Sequence, residues 1–162
     1  STLFPYTTLF RSPYRLDQHI EVVVTESIES ACDTASIVSC STGSTTPLVR
    51  GKWLQPGTFV DLVGSFSPTK RESDDDVVLR SRIFVDTFEG ALSEAGDILD
   101  PMRRGIIDRE RIEGQLADLV SGRVRGRVND EEITLFKSVG TAIEDLAASK
   151  TIFAAAMARP SY

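Results

Sequence analysis

Cysteine is scarce in this 162-residue chain. Cys32 and Cys40 are its only two, too few for the paired framework of a small disulfide-stapled domain, and they read as reduced thiols of a cytosolic protein. Histidine is scarcer still. His19 stands alone, so there is no set of zinc ligands at finger spacing and no metal centre is expected. Long apolar runs are missing too: a spanning helix needs about 20 consecutive apolar residues, the longest candidate lies around 152–158, and no bilayer-crossing segment is expected. Positive charge is in deficit, with 18 lysines and arginines against 24 acidic residues and a formal net charge of -6. Without a basic stripe to replace counterions along phosphates, nucleic acid is not an expected partner.

What is present is a hydrophobic content of 41%, spread through short runs, which fits one folded domain of ordinary size and excludes disorder and collagen-like repetition. The head is anomalous. Residues 1–12, STLFPYTTLFRS, are identified as the in-frame translation of a common short-read sequencing adapter, in which CCC TAC ACG ACG CTC TTC CGA TCT encodes PYTTLFRS. A β-hairpin arm is the competing reading, because Leu3, Phe4, Tyr6, Leu9 and Phe10 are good strand formers. On the adapter reading the protein proper starts near Pro13, the natural N-terminus is missing, and the head is set aside in reasoning about the fold.

The rest alternates strands and helices. Residues 20–24 are a short β-branched run. A helix over 27–35 follows, with Ile28, Ala31 and Cys32 at helical spacing, Ser27 as N-cap and Ser30 where a capping box would place Glu. Residues 36–40 read as a strand, 41–47 as a Ser/Thr/Gly loop, 48–54 as an ordered link before the Pro56-Gly57 turn, and 58–63 as another strand closed by Gly64. Asp74, Asp75 and Asp76 open a helix running to about Arg82, their carboxylates at the positive end of the helix dipole and on a solvated face. A strand over 83–86 comes next, then a helix over 90–95. A further helix is expected over 109–120, where Ile112, Leu116 and Leu119 share one face. Gly122 and Gly126 bracket a basic loop, a strand covers 132–137, and an Ala-rich helix closes the chain over 141–158. Strands alternating with helices at this spacing predict parallel pairing in an open α/β sheet with helices on both faces.

An open parallel sheet binds ligands beyond the carboxyl ends of its strands. Three loops lie there: Cys40-Ser41-Thr42, Gly64-Ser65-Phe66 and Ser138-Val139-Gly140, each with small residues that let a ligand approach the backbone. The G-x-G-x-x-G phosphate fingerprint is absent from every frame. Spacing alone therefore stops at a soluble α/β domain, for which nucleotide binding is one reading among others.

The same loops carry a resemblance. The stretch DTASIVSCST over 33–42 with Pro47, Leu48 and Val49, then PGTFVDLVG over 56–64, Arg71-Glu72, and TLFKSVGTAIED over 134–145 resemble the ornithine cyclodeaminase/mu-crystallin family, in order and at family-like spacing across 31–148. The resemblance implies a homodimer of two-domain subunits in the cytoplasm. A substrate and dimerisation domain precedes a Rossmann domain, a doubly wound and mainly parallel sheet, and a C-terminal helical tail packs back toward the first domain. On this reading 13–126 form the C-terminal part of the NAD(P)-binding Rossmann domain, and 127–162 form its last strand and the returning helix. The upstream unit with the glycine fingerprint is missing. NADPH or NADH would be contacted by Cys40, Ser41, Thr42, Leu62, Val63, Gly64 and Lys70, while Val139 and Gly140 would approach the nicotinamide and the substrate.

Phe66 decides the subfamily. Deaminating cyclodeaminases carry a proton-handling aspartate at the matching position, and Phe66 accepts no proton, so general acid/base chemistry is lost there and no catalytic residue is assigned within the chain. The segment DLVGSFSPTKRE over 61–72 is instead similar to bacterial reductases of cyclic imino acids, which act on Δ1-pyrroline-2-carboxylate and its six-membered analogue. Such an enzyme needs a nicotinamide to deliver hydride, a proton source for the nitrogen and cations for the carboxylate, the last expected upstream. A non-catalytic nucleotide-binding protein of the crystallin type, and cyclodeamination or amino-acid dehydrogenation on the same scaffold, are the alternatives. Cys40 is expected to pack rather than react, and Glu89, Glu94 and Asp97 to serve at the surface or as caps. NADH and NADPH are not told apart, since the discriminating residue lies upstream.

Overall fold

The structure is a computed structural model, and it describes residues 23–25 and 27–158. The adapter-like head, His19 and positions 20–22 of the expected first strand lie outside the described residues; Val23 and Val24 are exposed and in no strand. Helix α1 (Ile28–Thr34) starts where its cap dictates, the Ser27 hydroxyl accepting from the Ser30 N–H at 3.2 Å. Strand β1 (Ile37–Cys40), a 3-10 turn (Gly51–Trp53) and β2 (Phe59–Leu62) follow. Helix α2 (Asp75–Arg80) is capped by Asp74, whose carboxylate accepts from Val77 N–H at 3.2 Å and from Gly51 N–H at 2.9 Å. The next elements are β3 (Ser81–Val85), α3 (Phe88–Glu94), α4 (Gly96–Arg103), β4 (Ile112–Gln115), α5 (Leu116–Val120), β5 (Ile133–Lys137) and α6 (Ala142–Met157).

The five strands form one parallel sheet in the order β1-β2-β5-β3-β4. The last strand in sequence enters the middle, with Leu135 opposite Val60 on one side and Ile83 on the other. Because every strand runs the same way, all carboxyl ends share one edge, and the loops after β1, β2 and β5 become neighbours there. Alternation along the strands sends Val60, Leu62, Ile83, Val85, Ile133 and Leu135 into one core against Cys32 of α1, Val77 and Val78 of α2, Ala91 of α3 and Ile98 of α4. Each of the valines, leucines and isoleucines so removed from water is worth about 1.5–3 kcal/mol. On the opposite face Phe59, Phe84 and Phe136 meet Leu116 and Leu119 of α5 around an open groove of about 340 Å³.

Three expectations need correction. The helix over 109–120 is instead a 3-10 turn (Arg109–Arg111), then β4 and the short α5. The helical spacing of Ile112, Leu116 and Leu119 was genuine, but Ile112 faces the main core whereas the two leucines serve the other face. At Gly114 a Cβ would approach Val124 at 3.2 Å, so the strand packs closely against the Val124 side chain there. The helix opened by the aspartates ends at Arg80, because Ser81 and Arg82 are already paired with Ile133 and Thr134 of β5. Its face is also less solvated than expected: Asp75 is bound by Arg71 and Arg104. Helix α4, not among the expected elements, carries Pro101 inside it and is held by burial of Gly96, Asp97, Ile98 and Pro101.

Candidate functional site

The three small-residue loops converge as the topology requires. β1 and β2 are in register from Ile37 opposite Phe59 to Cys40 opposite Leu62, and pairing continues past the strand ends: Val63 N–H donates to the Cys40 carbonyl at 2.8 Å and Ser138 N–H to the Leu62 carbonyl at 3.0 Å. The fit is close at Gly64, where a Cβ would lie 2.0 Å from the Thr42 carbonyl oxygen and 2.3 Å from Glu72 Oε1. Only a residue without a side chain lets the two loops approach this far.

Buried charge stitches these loops together. Glu72, fully buried, spans the first two: its Oε1 accepts from Thr42 N–H at 2.5 Å and its Oε2 from Gly64 N–H at 2.7 Å. Lys137, also fully buried, spans β2 and β5, its Nζ donating to the carbonyls of Leu62 at 3.0 Å and Ser138 at 2.7 Å. Asp86, at the end of β3, organises the third loop, its Oδ2 accepting from Ser138 Oγ at 3.2 Å and from the N–H groups of Val139 and Gly140 at 2.8 Å each. Behind them Asp97 Oδ1 accepts from the N–H of Glu72 and of Ser73 and from Ser73 Oγ, while its Oδ2 accepts from Ser65 Oγ. Asp97 is thus a buried acceptor, not the surface or capping residue expected. Asp86 was not singled out from the sequence, and Glu72 and Lys137, quoted only within the family-like stretches, were given no role; the signal was a charged residue at the end of an apolar strand (Asp86, Lys137) or between two strands (Glu72).

Electrostatics follow from this packing. Burial lowers the Lys137 ammonium below its ordinary value, opposed by the nearby carboxylates of Asp97, Glu72, Asp86 and Asp61. Burial first, and then the Glu72 charge, push the Cys40 thiol up to about 12, so it is neutral and packs against the core as expected. Phe66 is 50% exposed beside these loops, with the Lys70 ammonium 3.6 Å from its ring centroid.

The residues expected at the site divide by role. Ser41 and Val63 are exposed, and Thr42, Val139 and Cys40 are half-buried, all on the shared carboxyl edge. Leu62 has its side chain fully in the core, and only its carbonyl reaches the edge, where Lys137 and Ser138 take it. Gly64 is buried against Thr42. Gly140 is exposed at φ +87°, with no atom within 4 Å of where a Cβ would stand, so the backbone there is open to a ligand. Gly43 is similarly open, its nearest neighbour being Lys70 Nζ at 3.8 Å. The edge thus presents small residues, with open backbone at Gly43 and Gly140 and the Lys70 ammonium beside the first of them.

Comparison with known proteins gives the family and the fold. The model of the ornithine cyclodeaminase/mu-crystallin family matches residues 10–159. Protein SAR DEFICIENT 4 of Arabidopsis thaliana is 41% identical over 147 residues, covering 90% of this chain and 44% of its own length. The Delta(1)-pyrroline-2-carboxylate reductase of Colwellia psychrerythraea is 42% identical over 118 residues, covering 73% of this chain and 37% of its own. The structure of the Thermococcus litoralis Delta(1)-pyrroline-2-carboxylate reductase in complex with NADH and L-proline superposes with a TM-score of 0.75 at 43% identity, covering 78% of this chain and 39% of that one. The chain spans less than half the length of the relatives it matches. With the family model matched along nearly all of it and a parallel sheet whose loops carry the family's motifs, the chain belongs to the ornithine cyclodeaminase/mu-crystallin family.

Proposed function

We propose that the full-length protein carrying this chain is an NADH- or NADPH-dependent reductase of cyclic imino acids, converting Δ1-pyrroline-2-carboxylate or Δ1-piperideine-2-carboxylate to L-proline or L-pipecolate. One observation carries the reading. At the carboxyl edge of β2, where cyclodeaminases of the family have an aspartate, stands the half-exposed ring of Phe66, which can neither take a proton nor activate water for release of ammonia. The identity to a reductase whose complex holds NADH and L-proline supports the same choice.

When bound, the nicotinamide supplies a hydride to the carbon of the C=N bond while the ring nitrogen gains a proton, so that imine becomes amine and the nicotinamide is oxidised. The chain's part is placement. Ser41 and Thr42 after β1, with Val63 and Gly64 after β2, offer a flat seat for the cofactor. Lys70 adds a cation at its rim. Val139 and Gly140 after β5 close the side facing the substrate ring, and Phe66 gives that ring an apolar wall.

Within this reading, 13–126 are the C-terminal part of the cofactor-binding domain, and 127–162 its last strand and a helix that returns to an upstream substrate and dimerisation domain. The protein works as a cytoplasmic homodimer. The exposed apolar side chains of α6, among them Ile143, Leu146, Ile152 and Phe153, support a partner for that helix. The test is an assay of the full-length protein with NADH or NADPH and Δ1-pyrroline-2-carboxylate. Loss of the nicotinamide absorbance with formation of proline is expected. Ammonia release from ornithine would assign a cyclodeaminase, and bound nucleotide without turnover a binding protein of the crystallin type.

A further inference from the structure

The Glu72 carboxylate is placed as an internal strut. It is fully buried, and it faces two backbone N–H groups from two different loops, one oxygen on each. Those loops follow neighbouring strands, and Cys40 and Leu62 end their regular pairing. Beyond that register one further backbone bond, Val63 N–H to the Cys40 carbonyl, continues the ladder, and past it the carboxylate and the close Gly64 contact hold the two loops together. The strut is itself anchored. The Glu72 N–H donates to Asp97 at 3.0 Å, and the Glu72 carbonyl accepts from the N–H groups of Leu48 and Val49 at 2.9 Å each. Every polar atom of the residue is committed: its backbone is pinned to Asp97, Leu48 and Val49, and its side chain cannot swing away without breaking its bonds to both loops.

We propose that Glu72 is a positioning residue that sets the spacing of the 41–43 and 63–65 loops before any cofactor arrives, and that cofactor affinity depends on it; this rests on the reading of those loops as a nicotinamide-nucleotide seat. Glu72 touches no ligand. Its carboxylate is aimed away from solvent at N–H groups that would otherwise be unsatisfied, or free to rotate into other conformations. An ionised carboxylate accepts at both oxygens, whereas an amide of the same shape accepts at one and donates at the other. In Glu72→Gln the amide NH2 therefore meets a backbone N–H, at Thr42 or at Gly64, and one loop is released while side-chain volume is kept.

The experiment uses the full-length protein and NADH itself. In Glu72→Gln the Kd for NADH, from quenching or enhancement of fluorescence well below the melting temperature, is expected to rise about tenfold, the scale of one lost charge-assisted hydrogen bond. The KM for the imine at saturating NADH is expected to stay within about twofold. Asp118→Asn, which loosens the Arg123 ion pair and contacts neither loop, is expected to lower the melting temperature and leave the NADH Kd unchanged. A Glu72→Gln protein that melts earlier yet binds NADH as tightly as wild type overturns the proposal. Should that variant fail to fold, hydrogen exchange of the unliganded wild type decides: slow exchange of the Thr42 and Gly64 amides is expected, and fast exchange overturns the proposal. A wild type that binds NADH but reduces no cyclic imine would refute the assigned reaction while leaving the Glu72 test intact. Wild type that binds neither NADH nor NADPH would refute both.

Discussion

The carboxyl edge of the sheet and helix α6 begin within five residues of each other, at Lys137 and Ala142, and are built on opposite principles. At the edge, polar groups are buried and satisfied: Glu72, Asp86, Asp97 and Lys137 together engage backbone groups of residues 42, 62, 64, 72, 73 and 138–140. In α6, apolar groups are exposed: none of its 16 residues is buried, and Ile143, Ile152 and Phe153 are each about two-thirds exposed or more. In the first region these buried groups tie the loops to one another. The second has the surface of an interface, and its helix is held by its own backbone and alanine content. The two regions thus show that polar groups can be fully satisfied at one end of a short stretch of chain while apolar groups stand exposed at the other.

The sharpest way to break the contrast is at Gly64. Gly64→Ala would place a methyl group 2.0 Å from the Thr42 carbonyl oxygen, and neither strand end can retreat; a loss of about 3 kcal/mol or more, seen as a lower urea midpoint, is expected. Asp86→Ala ranks next. It strands the N–H groups of Val139 and Gly140 and the Ser138 hydroxyl, and about 2 kcal/mol should be lost by the same measurement, with the 138–140 amides exchanging faster.

Acid should act more gently. The Arg104 hydrogen bond holds the Asp75 carboxyl below its ordinary value, and Arg71 adds to it; the Arg123 pair does the same for Asp118. A folded pKa below the unfolded one makes the stabilisation full above the ordinary carboxylate value of 3.8 and lost as pH falls through the folded value. The melting temperature should hold steady down to about pH 5 and fall below it, less steeply in Asp75→Asn. Smallest is Leu146→Ser on α6, expected to shift the stability of this chain by no more than about 0.5 kcal/mol. In the full-length protein the same change should weaken assembly, read as a concentration-dependent dissociation by sedimentation.

Much of this was legible in the sequence, and the reasons differ between elements. Strands β1, β2 and β5 announced themselves as β-branched or aromatic runs closed by Gly, Ser or Cys, and α1 by its Ser27 cap, because these signals are local. The three loops were identifiable by their small residues, and parallel topology then brought them together. β4 was illegible: Ile112-Glu113-Gly114-Gln115 has little strand propensity and gains its conformation from pairing with Ile83, Phe84 and Val85. The charged struts were hidden for a related reason. Nothing near Glu72 or Asp97 in sequence says that they will be buried, because their partners lie 8 to 32 residues away. Lys137 ends a strand whose neighbours Ile133 and Leu135 do mark its face as buried, and an inward-facing lysine there was the one available sign.

The most direct test follows the hydride. The full-length protein, supplied with NADH deuterated at the transferring position of the nicotinamide and with Δ1-pyrroline-2-carboxylate, should yield L-proline carrying one deuterium at its α-carbon, detected by mass spectrometry. Proline without label, or no proline while the deuterated NADH stays reduced and bound, would contradict the account.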